Sequence, residues 1–386
     1  MISAVVRSYE FVLLVVIAVI VIGVSLIDRN FLLPVNLLDI LTRSAAPAIV
    51  SCGVMLVILS GEIDISVGSL FGLVATVMGV LLSSDQLQLS LLLGIPLVLA
   101  VGLLVGAGTG LLVTFGRVPS IVATLGLMGM LRGIALIVSR GENIGGLPTQ
   151  LQVATKVGFA GLPLGVWVAS LVIAGTAIML KWMPIGPRFY AIGSSSYAAR
   201  MIGLSERRLK VFAFAYTGLL TALAVIVDVP RLPTIEAKLG DGFELLVVTC
   251  VVVGGVSISG GRGRLAGVVL AVLLMMMLRP VLTFLDIGEA GEKWTGAIQG
   301  IFIISAVVGD HLLTRFRDRQ ATGQATGQAT GQATGRATGQ ATGQATGQAT
   351  GQATGQATGQ ATGRATGRAT GRAEAGKDKR EGSHNE

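Results

Sequence analysis

Two carboxylates and two hydroxyls crowd the stretch Gly61-Glu62-Ile63-Asp64-Ile65-Ser66-Val67-Gly68-Ser69, between two apolar runs. Carboxylates at membrane depth are costly to desolvate, so they mark a solute path or a paired site. The same residues suit helix capping, because Asp64 or Ser66 can accept hydrogen bonds from the first amides of a following helix. The two roles are compatible. Arg132 poses the same choice. It lies about six residues, roughly 9 Å, inside the outer end of its apolar run. Its head can snorkel to the interface, or turn inward to a carboxylate or to solute hydroxyls. Glu244, near the outer start of another run, has both readings as well. Asn143, in an outer loop, either bonds a solute or shapes a turn.

Other reactive residue types do not assemble into a reaction centre. His311 and His384 are the only histidines, and no metal site is expected from them. Cys52 and Cys250 sit inside apolar runs and read as small core residues. Residues 254–270, GGVSISGGRGRLAGVVL, superficially resemble a phosphate-binding loop. They lack the Gly-Lys-Ser/Thr ending and join two apolar segments instead of a strand and a helix. The only Gly-Lys pair, Gly376-Lys377, is followed by aspartate. No cofactor is therefore expected on this chain, and no ATPase site of its own. The residues point to a pathway, not to catalysis.

The elements that must position them are membrane helices. Of 386 residues, 52% are hydrophobic and only 13% charged, with 54 glycines. Soluble domains carry about 25% charged residues. An apolar, glycine-rich chain is what closely packed membrane helices require. A span needs about 20 apolar residues. Ten runs approach that length: 11–27, 45–60, 67–83, 89–114, 118–138, 164–182, 211–227, 243–258, 265–285 and 296–310. The expected fold is all-α, a polytopic transmembrane bundle over 1–319. The second and eighth runs read as short, and Pro96 suggests a kink in the fourth. The first run is followed by Asp28, Arg29 and Asn30 and lacks a small-residue cleavage site, so it reads as a retained helix.

Charge placement orients the bundle. With the N-terminus cytoplasmic, the cytoplasmic segments up to Arg319 hold 13 basic residues against six acids, and the opposite side eight against 11. Lysine and arginine favour the cytoplasm, so both termini are expected there. The net charge of +8 is thus a topology signal first, with anionic lipid a secondary partner and nucleic acid none. The basic excess concentrates in 181–210. Within it, Ser194, Ser195 and Ser196 can cap a short helix through Ala198, Ala199 and Arg200, ended by Gly203. Such a helix outside the bilayer suits docking of a soluble partner, or else the loop only sets topology. Residues 321–372 are 13 copies of a tetrapeptide, Ala-Thr-Gly-Gln, with arginine in place of glutamine at 336, 364, 368 and 372. A glycine every fourth residue opposes a helix by roughly 10 kcal/mol in total, and nothing larger than alanine is there to bury. The tail, 320–386, is expected to be a disordered cytoplasmic extension.

Several of these stretches together resemble one family. They are GEIDISVGS, PSIVATLGLMGMLRGIALI (119–137), GPRFYAIGSSSYAARMIG and GDGFELLVVTCVVVGGVSISGGRGRLAG (240–267), in ten-span order. They look like the permease subunits of ribose-type ABC importers, whose members carry ribose, xylose, rhamnose or autoinducer-2. The resemblance covers about 5–315. It implies a multi-pass protein of the bacterial inner membrane that pairs with a second permease, identical or related. It also implies two cytoplasmic ATPase domains that hydrolyse the ATP, a periplasmic sugar-binding protein, and a coupling helix within 184–210. Glu62 departs from the family's usual glycine; Val225, Thr249 and Cys250 also differ. An ion-gradient-driven transporter using Glu62 and Asp64 is the alternative, and a non-transporting membrane scaffold a third.

Overall fold

The computed structural model describes residues 9–158, 160–285, 294, 296–305, 308, 340, 342–364 and 366. By contact density the chain divides into Met1–His311 and Leu312–Glu386. In the first unit, helices α1 (Tyr9–Ile27), α2 (Pro34–Leu59), α3 (Val67–Leu82), α4 (Leu91–Thr114) and α5 (Ser120–Ser139) come first. A short α6 (Thr149–Val157) precedes α7 (Leu164–Trp182), and α8 (Ile185–Ser194) and α9 (Ser196–Met201) follow. Then come α10 (Glu206–Asp228), α11 (Phe243–Val253), α12 (Leu265–Phe284) and α13 (Gly296–Ser305).

Each of the ten apolar runs contains one helix. Seven helices are long and apolar enough to cross a membrane, and α3, α11 and α13 are shorter apolar helices, among the described residues. The second run is a correction. It is not short: α2 has 26 residues and reaches back to Pro34. Asn36, Asp39 and Arg43 hid its first turns from a hydropathy reading, and Arg43 Nε donates to Asp39 at 2.7 Å along the helix. The α4 helix continues through Pro96.

The core sits where α10 packs on α4 and α2. Small residues make this possible, since lipid tails offer helices no hydrophobic reason to associate and close backbone packing must replace it. Gly102, Gly106 and Gly110 recur every fourth residue on α4. A methyl group at Gly102 or Gly106 would overlap the carbonyl of Gly218 or Phe214 on α10. The α2 helix is buried along most of its length, whereas α1 is largely exposed.

In the second unit, residues 342–364 form a helix. Successive threonines donate to carbonyls four residues back, as Thr346 Oγ1 does to Thr342 at 2.6 Å. Every described residue of it is exposed, so local hydrogen bonds are all that oppose its glycine content.

Candidate functional site

The crossing between Asp228 and Gly254 is not one helix. Past α10 the chain turns through Val229–Arg231, and Ile235 then pairs with Ile144 in an isolated antiparallel bridge with N–H···O distances of 2.8 and 3.0 Å. From there it runs beside α3 without regular structure, along three glycines. A methyl group at Gly79 would come 2.8 Å from Ile235 Cδ1. One at Gly72 would overlap the carbonyl oxygen of Leu239, and one at Gly68 would lie 2.7 Å from that of Gly240. Between Gly79 and Gly68 a helix advances about 16 Å. Only there does α11 begin, and its 11 residues span about 16 Å, half of a roughly 30 Å hydrocarbon core. Irregular backbone at such depth is stable only where protein or water satisfies it.

Glu244, in the first turn of α11, is thus deep in the bundle and not at its outer rim. It is 7% exposed, and its Oε2 presses on Gly68 with no hydrogen-bond partner among the described residues. Ser69, next along α3, has a buried hydroxyl in the same condition. Arg132, well inside α5, forms an ion pair with Asp241, two residues before α11. Those side chains are 35% and 46% exposed. A charge pair left open to hydrocarbon costs several kcal/mol, so this face opens on water or on another polypeptide. Asn143 is exposed beside the Ile144–Ile235 bridge, about 16 Å of α3 away from this cluster.

Asp64 and Ser66 lie in the link between α2 and α3. The Ser66 hydroxyl and amide both donate to Asp64 Oδ1, at 2.6 and 2.9 Å, and both residues are buried. Burial pushes the Asp64 carboxyl above the usual aspartate range, and the two Ser66 bonds oppose that rise. The pair braces the first residue before α3. Close by, the Ile63 amide donates to Ser120 Oγ at 3.2 Å, which ties the link to the start of α5.

The basic end of the bundle is a latch. Gly261 N–H donates to the Leu59 carbonyl at 3.0 Å, and the Tyr190 hydroxyl to that of Gly263 at 3.1 Å. Gly193 sits so close that a methyl group there would overlap both Leu59 and Gly261 backbone. Lys210 Nζ donates to Glu62 at 2.6 Å and to Glu206 at 2.7 Å, all three side chains being 13–20% exposed. The links 60–66, 184–205 and 254–264 are joined here. Ser195 caps α9 by accepting from the Ala198 amide at 3.2 Å. Ser196 Oγ donates to Ile192, and Ser194 Oγ to Gly261 at 3.4 Å. After Arg200, whose carbonyl accepts from Gly203 N–H, Gly203 adopts φ +79°, a turn that favours glycine. Ala199 is buried against the bundle, and Arg200 is exposed. The outward surface is instead Tyr197, Met201 and Ile202, each at least 68% exposed.

Residues 36–307 match the family described as the branched-chain amino acid transport system permease component. This chain belongs to that family. The permease is 33% identical over 312 residues to the ribose import permease protein of Haemophilus influenzae, covering 80% of this chain and 94% of that one. The Escherichia coli K12 ribose import permease is 32% identical, over 78% of this chain and 91% of its own. The autoinducer 2 import system permease of Yersinia pseudotuberculosis is 33% identical over 74% and 80% respectively. No solved structure matches the permease.

Sequence reasoning singled out Arg132 and Glu244 but not Asp241, which brings them into one neighbourhood. It singled out Glu62 as a carboxylate of a path or paired site and as a departure from the family, but missed its partner Lys210. The glycines 68, 72 and 79 were the available signal for a close crossing, since they fall on one helical face.

Proposed function

We propose that the permease is the membrane component of an ATP-driven importer that carries a sugar or sugar-like solute, of ribose, rhamnose, xylose or autoinducer-2 type, into the cytoplasm. Similarity to a ribose import permease over nearly that protein's full length carries this reading. The basic end, by the positive-inside rule, faces the cytoplasm. There α9 presents Tyr197, Met201 and Ile202 to an ATPase that hydrolyses ATP, and the Lys210 latch and Gly193 contact relay its movement to the 60–66 link. A periplasmic binding protein delivers solute at the opposite end, where the Ile144–Ile235 bridge joins the outer loops. The open Arg132–Asp241 face meets a second permease, and solute passes between them. Asp64, Ser66, Arg132, Asn143 and Glu244 are assigned to this route.

The test is D-ribose uptake by proteoliposomes holding the permease with the ATPase and binding protein that co-purify with it. Uptake should need internal ATP and stop when Tyr197, Met201 and Ile202 are all changed to glutamate. Uptake that persists without ATP and collapses with an uncoupler would overturn the reading in favour of an ion-driven carrier. Glu62 and Asp64, the acids such a carrier would use, are already engaged by Lys210 and Ser66.

A further inference from the structure

Among the described residues, Glu244 is the buried carboxylate whose oxygen finds no partner. A carboxylate taken out of water keeps its place only if something compensates it. No ion pair reaches it among the described residues, and Arg132, which contacts the same segment, is paired with Asp241. Position adds a second observation. Glu244 opens a half-length helix at the depth where the irregular segment 236–242 ends, and its Oε2 fills the space over Gly68 that any side chain would take. Ser69, in the first turn of the facing helix, also holds a buried hydroxyl without a partner.

We propose that Glu244, aided by Ser69, is a hydroxyl-recognition station for a neutral polyol at mid-membrane, closed in this state by the seal of Glu244 on Gly68. The inference rests on the importer reading and names the chemistry of its narrowest point. An ionised carboxylate is acceptor-only and can take two or more hydroxyl hydrogens, as adjacent hydroxyls of a sugar supply. A serine hydroxyl, donor and acceptor at once, meets either face of the same group. Arg132, Asp241 and Glu244 together carry one net negative charge, so a phosphorylated or carboxylated solute is disfavoured there. Parting of segment 239–244 from Gly68 and Gly72 exposes the carboxylate and opens the way. The missing Cβ atoms keep the closed contact backbone-tight without blocking that motion.

The experiment compares wild type with Glu244→Leu and Glu244→Gln in the same ATP-loaded proteoliposomes. D-ribose and 2-deoxy-D-ribose uptake are measured beside thermal unfolding of the purified complex. Glu244→Leu should lower D-ribose uptake at least tenfold while the Tm stays level or rises, because a partnerless buried charge has been removed. Glu244→Gln should keep intermediate uptake and shrink the preference for D-ribose over its deoxy analogue. Wild-type uptake by Glu244→Leu overturns the station and leaves the importer standing. Uptake and Tm falling together also overturn it, by making Glu244 a structural brace. A wild-type complex that imports neither sugar, with an ATPase indifferent to the binding protein, overturns the importer reading and the station with it.

Discussion

At the basic end three links are tied by groups that all find partners, whereas halfway through the bundle one link is tied around a carboxylate that finds none. Leu59, Gly193 and Gly261 meet backbone to backbone, and Lys210 is claimed by two glutamates. At Gly68 the contact is just as close, yet Glu244 Oε2 and Ser69 Oγ are left over. A satisfied junction moves as one piece and suits the transmission of force. An unsatisfied one has spare bonding capacity for a visitor, and the protein bears the cost while the visitor is absent.

The contrast can be broken most forcefully at Gly193. Gly193→Val puts a Cβ bearing two methyl groups into the Leu59 and Gly261 backbone. It should destabilise by about 4 kcal/mol or more, with loss of the monodisperse peak on fluorescence-detected size-exclusion chromatography. Lys210→Met is next. It leaves Glu62 and Glu206 facing each other in a mostly buried place. Breaking a buried pair by removing one partner costs about 3–5 kcal/mol, and the residual exposure lowers that to about 2–3 kcal/mol. The check is thermal unfolding of the detergent-solubilised protein, and an unchanged midpoint would show that the latch carries no stability. Glu62→Gly should cost only about 1 kcal/mol, since Lys210 keeps Glu206. Measured with Lys210→Met in a double-mutant cycle, the two should be strongly non-additive. The smallest effect belongs to Arg43→Ala, whose Asp39 partner lies one turn away on an exposed helix face. About 0.3–0.5 kcal/mol is expected, within the scatter of a melting curve.

The elements were readable because hydropathy along the chain is a local property. All ten apolar runs are found as helices, and the short α9 stands where Ser194–Gly203 placed it. The site was readable only as a set of separate residues. Asp64 and Ser66 were expected to cap α3 by accepting from its first amides, but no side-chain capping bond forms there, and Asp64 accepts instead from Ser66 itself. Arg132 and Asp241 are far apart in the chain, and Lys210 is 148 residues from Glu62. Glu244 was read near the outer start of a short run, and it does stand in the first turn of the 11-residue α11, but hydropathy does not give the depth of that turn. The structure puts a stretch of non-helical backbone above it, which no window average detects. Ala199 was grouped with the docking surface, although its side chain is buried and its neighbours Tyr197, Met201 and Ile202 point outward.

The amino-acid sequence alone determined that this chain is a bundle of membrane helices, which of its loops carry positive charge, and where a short capped helix interrupts them. These follow from transfer free energies and from hydrogen bonds between residues a few positions apart, which any copy of the sequence carries regardless of how its helices pack. The depth of Glu244, the pairing of Arg132 with Asp241 and the latch of Lys210 on Glu62 were decided only by the tertiary structure. Each depends on how closely two helices approach, and that distance is set by glycines whose partners lie elsewhere in the chain.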